Sequence, residues 1–122
     1  MQKNVEKMSI NYSPNFGLMK RSGSKVKYLI FHYTGMKSED GAIKRLTNNN
    51  SGVSCHYFIK KNGKVIKIVP DLYVAWHAGV SSWKKDVSLN TNSIGIEISN
   101  PGHYHGYKNF NQSQIKSIIG LS

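Results

Sequence analysis

Residues 93–99 alternate strictly, with Ile94, Ile96 and Ile98 interleaved among Ser93, Gly95, Glu97 and Ser99. A period of two is the pattern of a β-strand, whose successive side chains point to opposite faces. It predicts a strand with three isoleucines on the core side and Glu97 on the other. Residues 26–33 are almost continuously β-branched or aromatic, which predicts a buried central strand. Residues 53–60 and 64–69 read as two more strands joined around Asn62-Gly63, the strongest short hairpin signal. In the first of these, His56 and Phe58 share one face, and Cys55, Tyr57 and Ile59 share the other.

Two stretches change to helical spacing. Ser38-Glu39-Asp40 opens residues 41–47, where Ala42, Ile43 and Leu46 recur at helical intervals. Ser38 is the predicted N-cap, and the two acids suit the positive end of the helix. In residues 110–122, Ile115, Ile118 and Ile119 form an apolar stripe, with Asn111 or Ser113 as the cap. Residues 1–24 are polar and interrupted by Pro14, Gly17 and Gly23; they predict an irregular arm ahead of one domain over residues 25–122. The expected class is α/β, a single domain with a central mixed sheet flanked by helices.

Composition narrows the function. With 122 residues and 39% hydrophobic content the chain can bury a single core. No apolar run approaches the roughly 18 residues of a membrane-spanning helix. The charged N-terminal residues lead into no apolar stretch, so no secretory signal is expected. The single cysteine, Cys55, excludes a disulfide framework or a cysteine-rich zinc module and reads as a small buried hydrophobe. The net charge of +11 draws anionic partners. Its lysines and arginines are dispersed and fit no nucleic-acid-binding signature, so no nucleic-acid partner is expected.

Six residues carry candidate chemistry. Glu97 is either a solvated polar residue or an acid/base group held by a stiff strand. His32 lies near the end of its strand, just before Thr34-Gly35. There a strand fixes position and a loop gives access; a core histidine satisfied by its neighbours fits the same pattern. Trp76 and His77, within Ala75-Trp76-His77-Ala78-Gly79, line a binding groove or simply pack. His103 and His105 are spaced like a two-histidine metal clamp, but without a third ligand they read as surface residues.

Four stretches taken together resemble a known family. They are Leu29-Ile30-Phe31-His32-Tyr33-Thr34, Val53-Ser54-Cys55-His56-Tyr57-Phe58-Ile59, Ala75-Trp76-His77-Ala78-Gly79 and Ser93-Ile94-Gly95-Ile96-Glu97-Ile98. Their order and spacing resemble the type 2 N-acetylmuramoyl-L-alanine amidases, zinc enzymes that share a fold with peptidoglycan-recognition proteins. The likeness is greatest to the bacterial recycling amidases that act on muropeptides, and it extends over roughly residues 13–122. It implies that His32 is a zinc ligand and that Glu97 is the general base for the attacking water. Some relatives place a catalytic tyrosine on the hairpin strand, where this chain has Cys55; the resemblance therefore implies the glutamate-dependent chemistry.

The family's other zinc ligands lie in a segment resembling Gly-His-Ser-Asp followed by Arg-Lys-x-Asp-Pro-Gly, beyond the last helix, and no such segment stands in these 122 residues. His56, His77, His103 and His105 do not fall at those ligand positions. The expectation is a domain incomplete at its C-terminal end, either a fragment or a natural short form. The expected activity of the intact parent is hydrolysis of the amide between N-acetylmuramic acid and L-alanine in peptidoglycan or muropeptides, with zinc as cofactor. Trp76 and His77 are the expected substrate-lining residues. The alternative is a peptidoglycan-binding module without catalysis. The expected state is a monomer, not inserted in a membrane, in the cytoplasm.

Overall fold

Alternating residues place Ile94, Ile96 and Ile98 on one side of a strand and Gly95 and Glu97 on the other, and the rest of the fold packs against both sides. A computed structural model of the chain describes residues 8–77, 82–83, 86–87, 89–101, 110 and 112–121. Its strands, in chain order, are β1 (Ser9–Ile10), β2 (Tyr28–Tyr33), β3 (Tyr57–Ile59), β4 (Val65–Lys67), β5 (Ser82–Trp83), β6 (Asp86–Val87) and β7 (Ser93–Ile98). Five of them form one mixed sheet in the order β1-β4-β3-β7-β2, and β5 pairs with β6 alone. The helices are α1 (Glu39–Thr47) and α2 (Gln112–Leu121). This is the predicted α/β sheet with helices.

β7 is an inner strand. It runs parallel to β2 with His32 opposite Glu97, and parallel to β3 with Phe58 opposite Glu97. The isoleucines pack with Tyr57, Ile59, Val65 and Leu121. Phe58 and Ile66, which alternate with those residues, pack instead with Ala42 and Leu46 of α1. Each sheet face therefore has its own core, and Glu97 belongs to the face that carries α1. Gly95 is buried too, so β7 is covered on both sides, unlike the half-buried strand its alternation predicts.

β3 and β4 form the predicted hairpin, shorter at each end, with Gly63 at φ +85° closing the turn through its N–H to the Lys60 carbonyl at 2.9 Å. The expected face of Cys55 is corrected. It packs in the same cluster as Phe58, not with Tyr57 and Ile59, because regular strand structure starts only at Tyr57 and the alternation does not extend back to Cys55.

β2 departs from expectation as well. It is an outer strand of the sheet among the described residues, and Leu29, Phe31 and Tyr33 are 40%, 42% and 48% exposed. A continuous apolar run does not distinguish a strand covered on both faces from one with a partly open face. α2 differs in the same sense. Ile115 and Ile119 of the predicted stripe are exposed, and the buried positions are Gln114 and Leu121. Gln114 is drawn inward because its side-chain amide donates to the Ser99 carbonyl at 2.8 Å, which satisfies a strand end that the sheet leaves open.

The expected irregular arm is more ordered than its composition suggests. β1 pairs parallel with β4, and the chain beyond it runs beside residues 67–74 through Asn11 N–H to Lys67 O, Ser13 N–H to Ile68 O, Gly17 N–H to Val74 O and Arg21 N–H to Leu72 O. A two-residue strand is too short to show a period. α1 begins as predicted: the Ser38 hydroxyl accepts the Gly41 N–H at 2.9 Å, with Glu39 and Asp40 in the first turn. Ser38→Ala should cost about 1 kcal/mol of stability, measurable by denaturant titration, with an unchanged midpoint contradicting the cap.

Candidate functional site

Five segments converge at one pocket: the end of β2, helix α1, residues 53–54, residues 76–77, and the end of β7. The pocket has a volume of about 180 Å³ and is lined by His32, Thr34, Arg45, Leu46, Trp76, His77 and Glu97 among others. Strand pairing places His32 beside Glu97, since parallel partners in register present their side chains on the same face. Three of the predicted site residues are thus brought together with the fourth, Trp76, which is 38% exposed at the rim. His103 and His105 lie outside the described residues.

Glu97 is partly buried against the apolar face under α1, and that burial raises its carboxyl to about 7. The Arg45 guanidinium acts in the opposite sense, by a smaller amount. Loss of water disfavours the charged form of a carboxylate, and a nearby cation restores part of it. The result is a carboxyl that can accept and return a proton near neutral pH. Arg45 was not among the residues singled out by the sequence. Its place on the helix face toward Glu97 follows only from how α1 lies over the sheet.

His77 is the most constrained group in the pocket. Its backbone N–H donates to Asn90 Oδ1 at 3.0 Å, and its Nε2 lies 2.9 Å from Ser93 Oγ. Its Nδ1 lies 3.2 Å from His32 Nε2. Trp76 before it is tied to Ser54 by two bonds of 2.9 Å, one from each backbone N–H. The ring sits directly on Gly95, where a Cβ would come within 2.4 Å of it. Burial, followed by the neighbouring His32, His56 and Arg21, lowers its basicity to about 3. Burial also holds His32 below the ordinary histidine value. The glycine was the legible signal here, because Gly inside a β-branched strand marks a close approach.

Behind the pocket, Arg21 is buried and donates to the carbonyls of Asp71 at 2.9 Å, Asn90 at 3.0 Å and Ser93 at 2.7 Å. It thereby ties the arm to the two loops that carry the site. His56 accepts the Gly95 N–H through Nδ1 at 3.0 Å, so its Nε2 proton goes to the Tyr73 carbonyl at 2.8 Å. Burial is the main reason its basicity falls to about 4. His56 is therefore part of the frame. Cys55 is fully buried, its thiol pushed well up by burial, as expected for a small core residue.

A catalytic zinc ion takes three protein ligands and keeps one position open. No group of three or more His, Cys, Asp or Glu residues that could hold a metal ion occurs among the described residues. His32 supplies one imidazole beside the Glu97 carboxyl, so these residues fit part of such a centre and do not complete it.

The family model described as N-acetylmuramoyl-L-alanine amidase matches residues 22–122. N-acetylmuramoyl-L-alanine amidase AmiD of Escherichia coli K12 is 34% identical over 110 residues, which span 80% of this chain and 39% of AmiD. The structure of AmiD in complex with the substrate anhydro-N-acetylmuramic acid-L-Ala-D-γ-Glu-L-Lys superposes with a TM-score of 0.69 at 32% identity, over 86% of this chain and 44% of AmiD. The AmpDH3 structure from Pseudomonas aeruginosa gives a TM-score of 0.74 at 28% identity, over 88% of this chain and 47% of that protein. The chain thus spans less than half the length of these relatives.

Proposed function

We infer the function from one premise: the chain belongs to the N-acetylmuramoyl-L-alanine amidase family. We propose that its site serves hydrolysis of the amide between the lactyl group of N-acetylmuramic acid and L-alanine, in a muropeptide. The observation that carries this reading is the placement of Glu97 beside His32 at one pocket.

In this reading Glu97 takes a proton from the water that attacks the lactyl carbonyl carbon. As the C–N bond breaks, Glu97 returns that proton to the departing alanine nitrogen, leaving a carboxyl group on the sugar and a free amine on the peptide. A side chain that transfers the proton in this way contributes about 10²–10⁴-fold. Trp76 offers an exposed aromatic face at the rim, suited to the apolar side of a sugar ring. Arg45 and the net charge of +11 favour a substrate that carries carboxylates. Zinc belongs to the proposal through the family. His32 would give it one ligand, with the others from outside the described residues, and the bound ion would lower the pKa of a water and polarise the carbonyl. The monomeric state and cytoplasmic location expected from the sequence are part of the same proposal. Among the described residues no helix is long and apolar enough to cross a membrane.

A second reading, a binding module without catalysis, is favoured because among the described residues His32 is the one imidazole proposed as a zinc ligand and no set of three ligands stands with it. Incubation with zinc and anhydro-N-acetylmuramic acid-L-Ala-D-γ-Glu-L-Lys, followed by mass spectrometry, separates the two. Release of the free tripeptide is expected, and its loss with His32→Ala together with bound zinc ties the activity to this site. Retention of the intact muropeptide by a zinc-loaded protein would overturn the enzyme reading in favour of the binder.

A further inference from the structure

Three imidazoles lie in sequence across the site, with ring centroids 5.4 Å apart for His32 and His77 and 6.1 Å apart for His77 and His56. We infer that Ser93 and His77 form a proton-ordered relay that holds His32 as its Nε2–H tautomer and leaves Nδ1 as the ring nitrogen with a free lone pair.

The order of protons follows from donor counting. Ser93 Oγ lies 2.6 Å from the Leu89 carbonyl oxygen. A carbonyl only accepts, so the single hydroxyl proton of Ser93 is committed there. The bond between Ser93 Oγ and His77 Nε2 at 2.9 Å therefore has His77 Nε2–H as its donor. In a neutral imidazole the other nitrogen is an acceptor, so His77 Nδ1 accepts. His32 Nε2, 3.2 Å away, must then carry the proton it donates. The Leu89 carbonyl thus determines a proton position on His32 two hydrogen bonds further on.

The relay is held in place from several sides. The His77 ring rests on Gly95, at a distance that excludes any Cβ, and its backbone is tied to Asn90. Arg21 approaches Ser93 through its carbonyl, not its hydroxyl, and leaves the Oγ of Ser93 to the relay. His56 is oriented separately: the Gly95 N–H fixes its Nδ1 as acceptor, and its Nε2 proton goes to Tyr73 O. A histidine that takes a cation is commonly oriented by the bond its other nitrogen makes. Here that partner is a second histidine anchored on a serine. Ser93 and His77 are thereby positioning residues. The tautomer assignment stands on geometry alone; its use in presenting a lone pair to a metal rests on the proposed function.

Long-range ¹H–¹⁵N correlation spectra of the metal-free chain, recorded where the histidines are neutral, read the tautomers directly. His32, His77 and His56 should each show a protonated Nε2 and a bare Nδ1. His32 protonated at Nδ1, or divided between the two forms, overturns the relay. His77→Leu should convert His32 from one tautomer to a mixture while His56 keeps its Nε2 proton, and His77→Gln, which retains an acceptor, should restore the single form. A His32 that remains a single tautomer in His77→Leu also overturns it. The wild-type spectrum decides the proton order by itself should a variant fail to fold. Added Zn²⁺ should shift Nδ1 of His32 and leave Nε2 protonated. Zinc taken up through Nε2 of His32 with loss of that proton overturns the relay, whereas absence of any zinc shift beside the expected tautomers favours the binding module over the enzyme and leaves the relay standing.

Discussion

Glu97→Gln should lower muropeptide hydrolysis by about 10²–10⁴-fold and at the same time make the metal-free protein more stable above neutral pH. The two effects have one cause. Burial raises the Glu97 carboxyl from 4.5 to about 7, so the folded chain holds this proton more tightly than the unfolded chain does. Below about pH 4 both states are protonated and the residue adds no pH dependence. As the pH rises through about 7, the unfolded state has already ionised at little cost, while the folded state must ionise a desolvated group. Stability is therefore lost between about pH 4.5 and about pH 7 and is level above that. Glutamine keeps the shape and never ionises, so it escapes the loss, which amounts to about 3 kcal/mol at about pH 8. Denaturant titrations of both proteins across this range should coincide near pH 4 and separate by pH 8, with the variant the more stable. Unchanged turnover would remove Glu97 as the base. Parallel pH profiles would show that its carboxyl is solvated after all.

The elements of this fold are written locally, but the site is written in their arrangement. β7, the hairpin around Gly63 and the Ser38 cap of α1 were all legible, because each depends on residues within a few positions of one another. The place of β7 between β3 and β2 was not, because parallel pairing joins strands that are distant in the chain and leaves no turn to mark it. The same limit applied to chemistry. Family resemblance selected His32 and Glu97, and the register then made them neighbours. Arg45 and Ser93 acquire their roles only through α1 lying over the sheet and His77, distant in the chain, lying against the serine. The stripe of Ile115 and Ile119 misled for a complementary reason. Periodicity identifies a helix face, but burial of that face depends on what lies opposite it.

Gly95→Ala tests that arrangement at its tightest contact. A Cβ on residue 95 would stand 2.4 Å from His77 Cγ, 2.5 Å from Cδ2 and 2.8 Å from Nδ1. Something must yield, and the strand is poorly placed to do so. Gly95 O accepts the His56 N–H at 2.9 Å and its own N–H is bound to His56 Nδ1 at 3.0 Å, while β7 is paired on both sides. The imidazole must therefore leave, and with it go the bonds to Ser93 and His32. The cost should be about 3 kcal/mol, at the upper end for overpacking. Turnover should fall with it, since His32 loses its partner. His77→Ala in the same chain removes the clash and should return most of the stability but none of the turnover, so a double-mutant cycle should give a coupling of about 1–3 kcal/mol. Additive costs would mean that the ring has another place to go, and that Gly95 does not set its position over the strand.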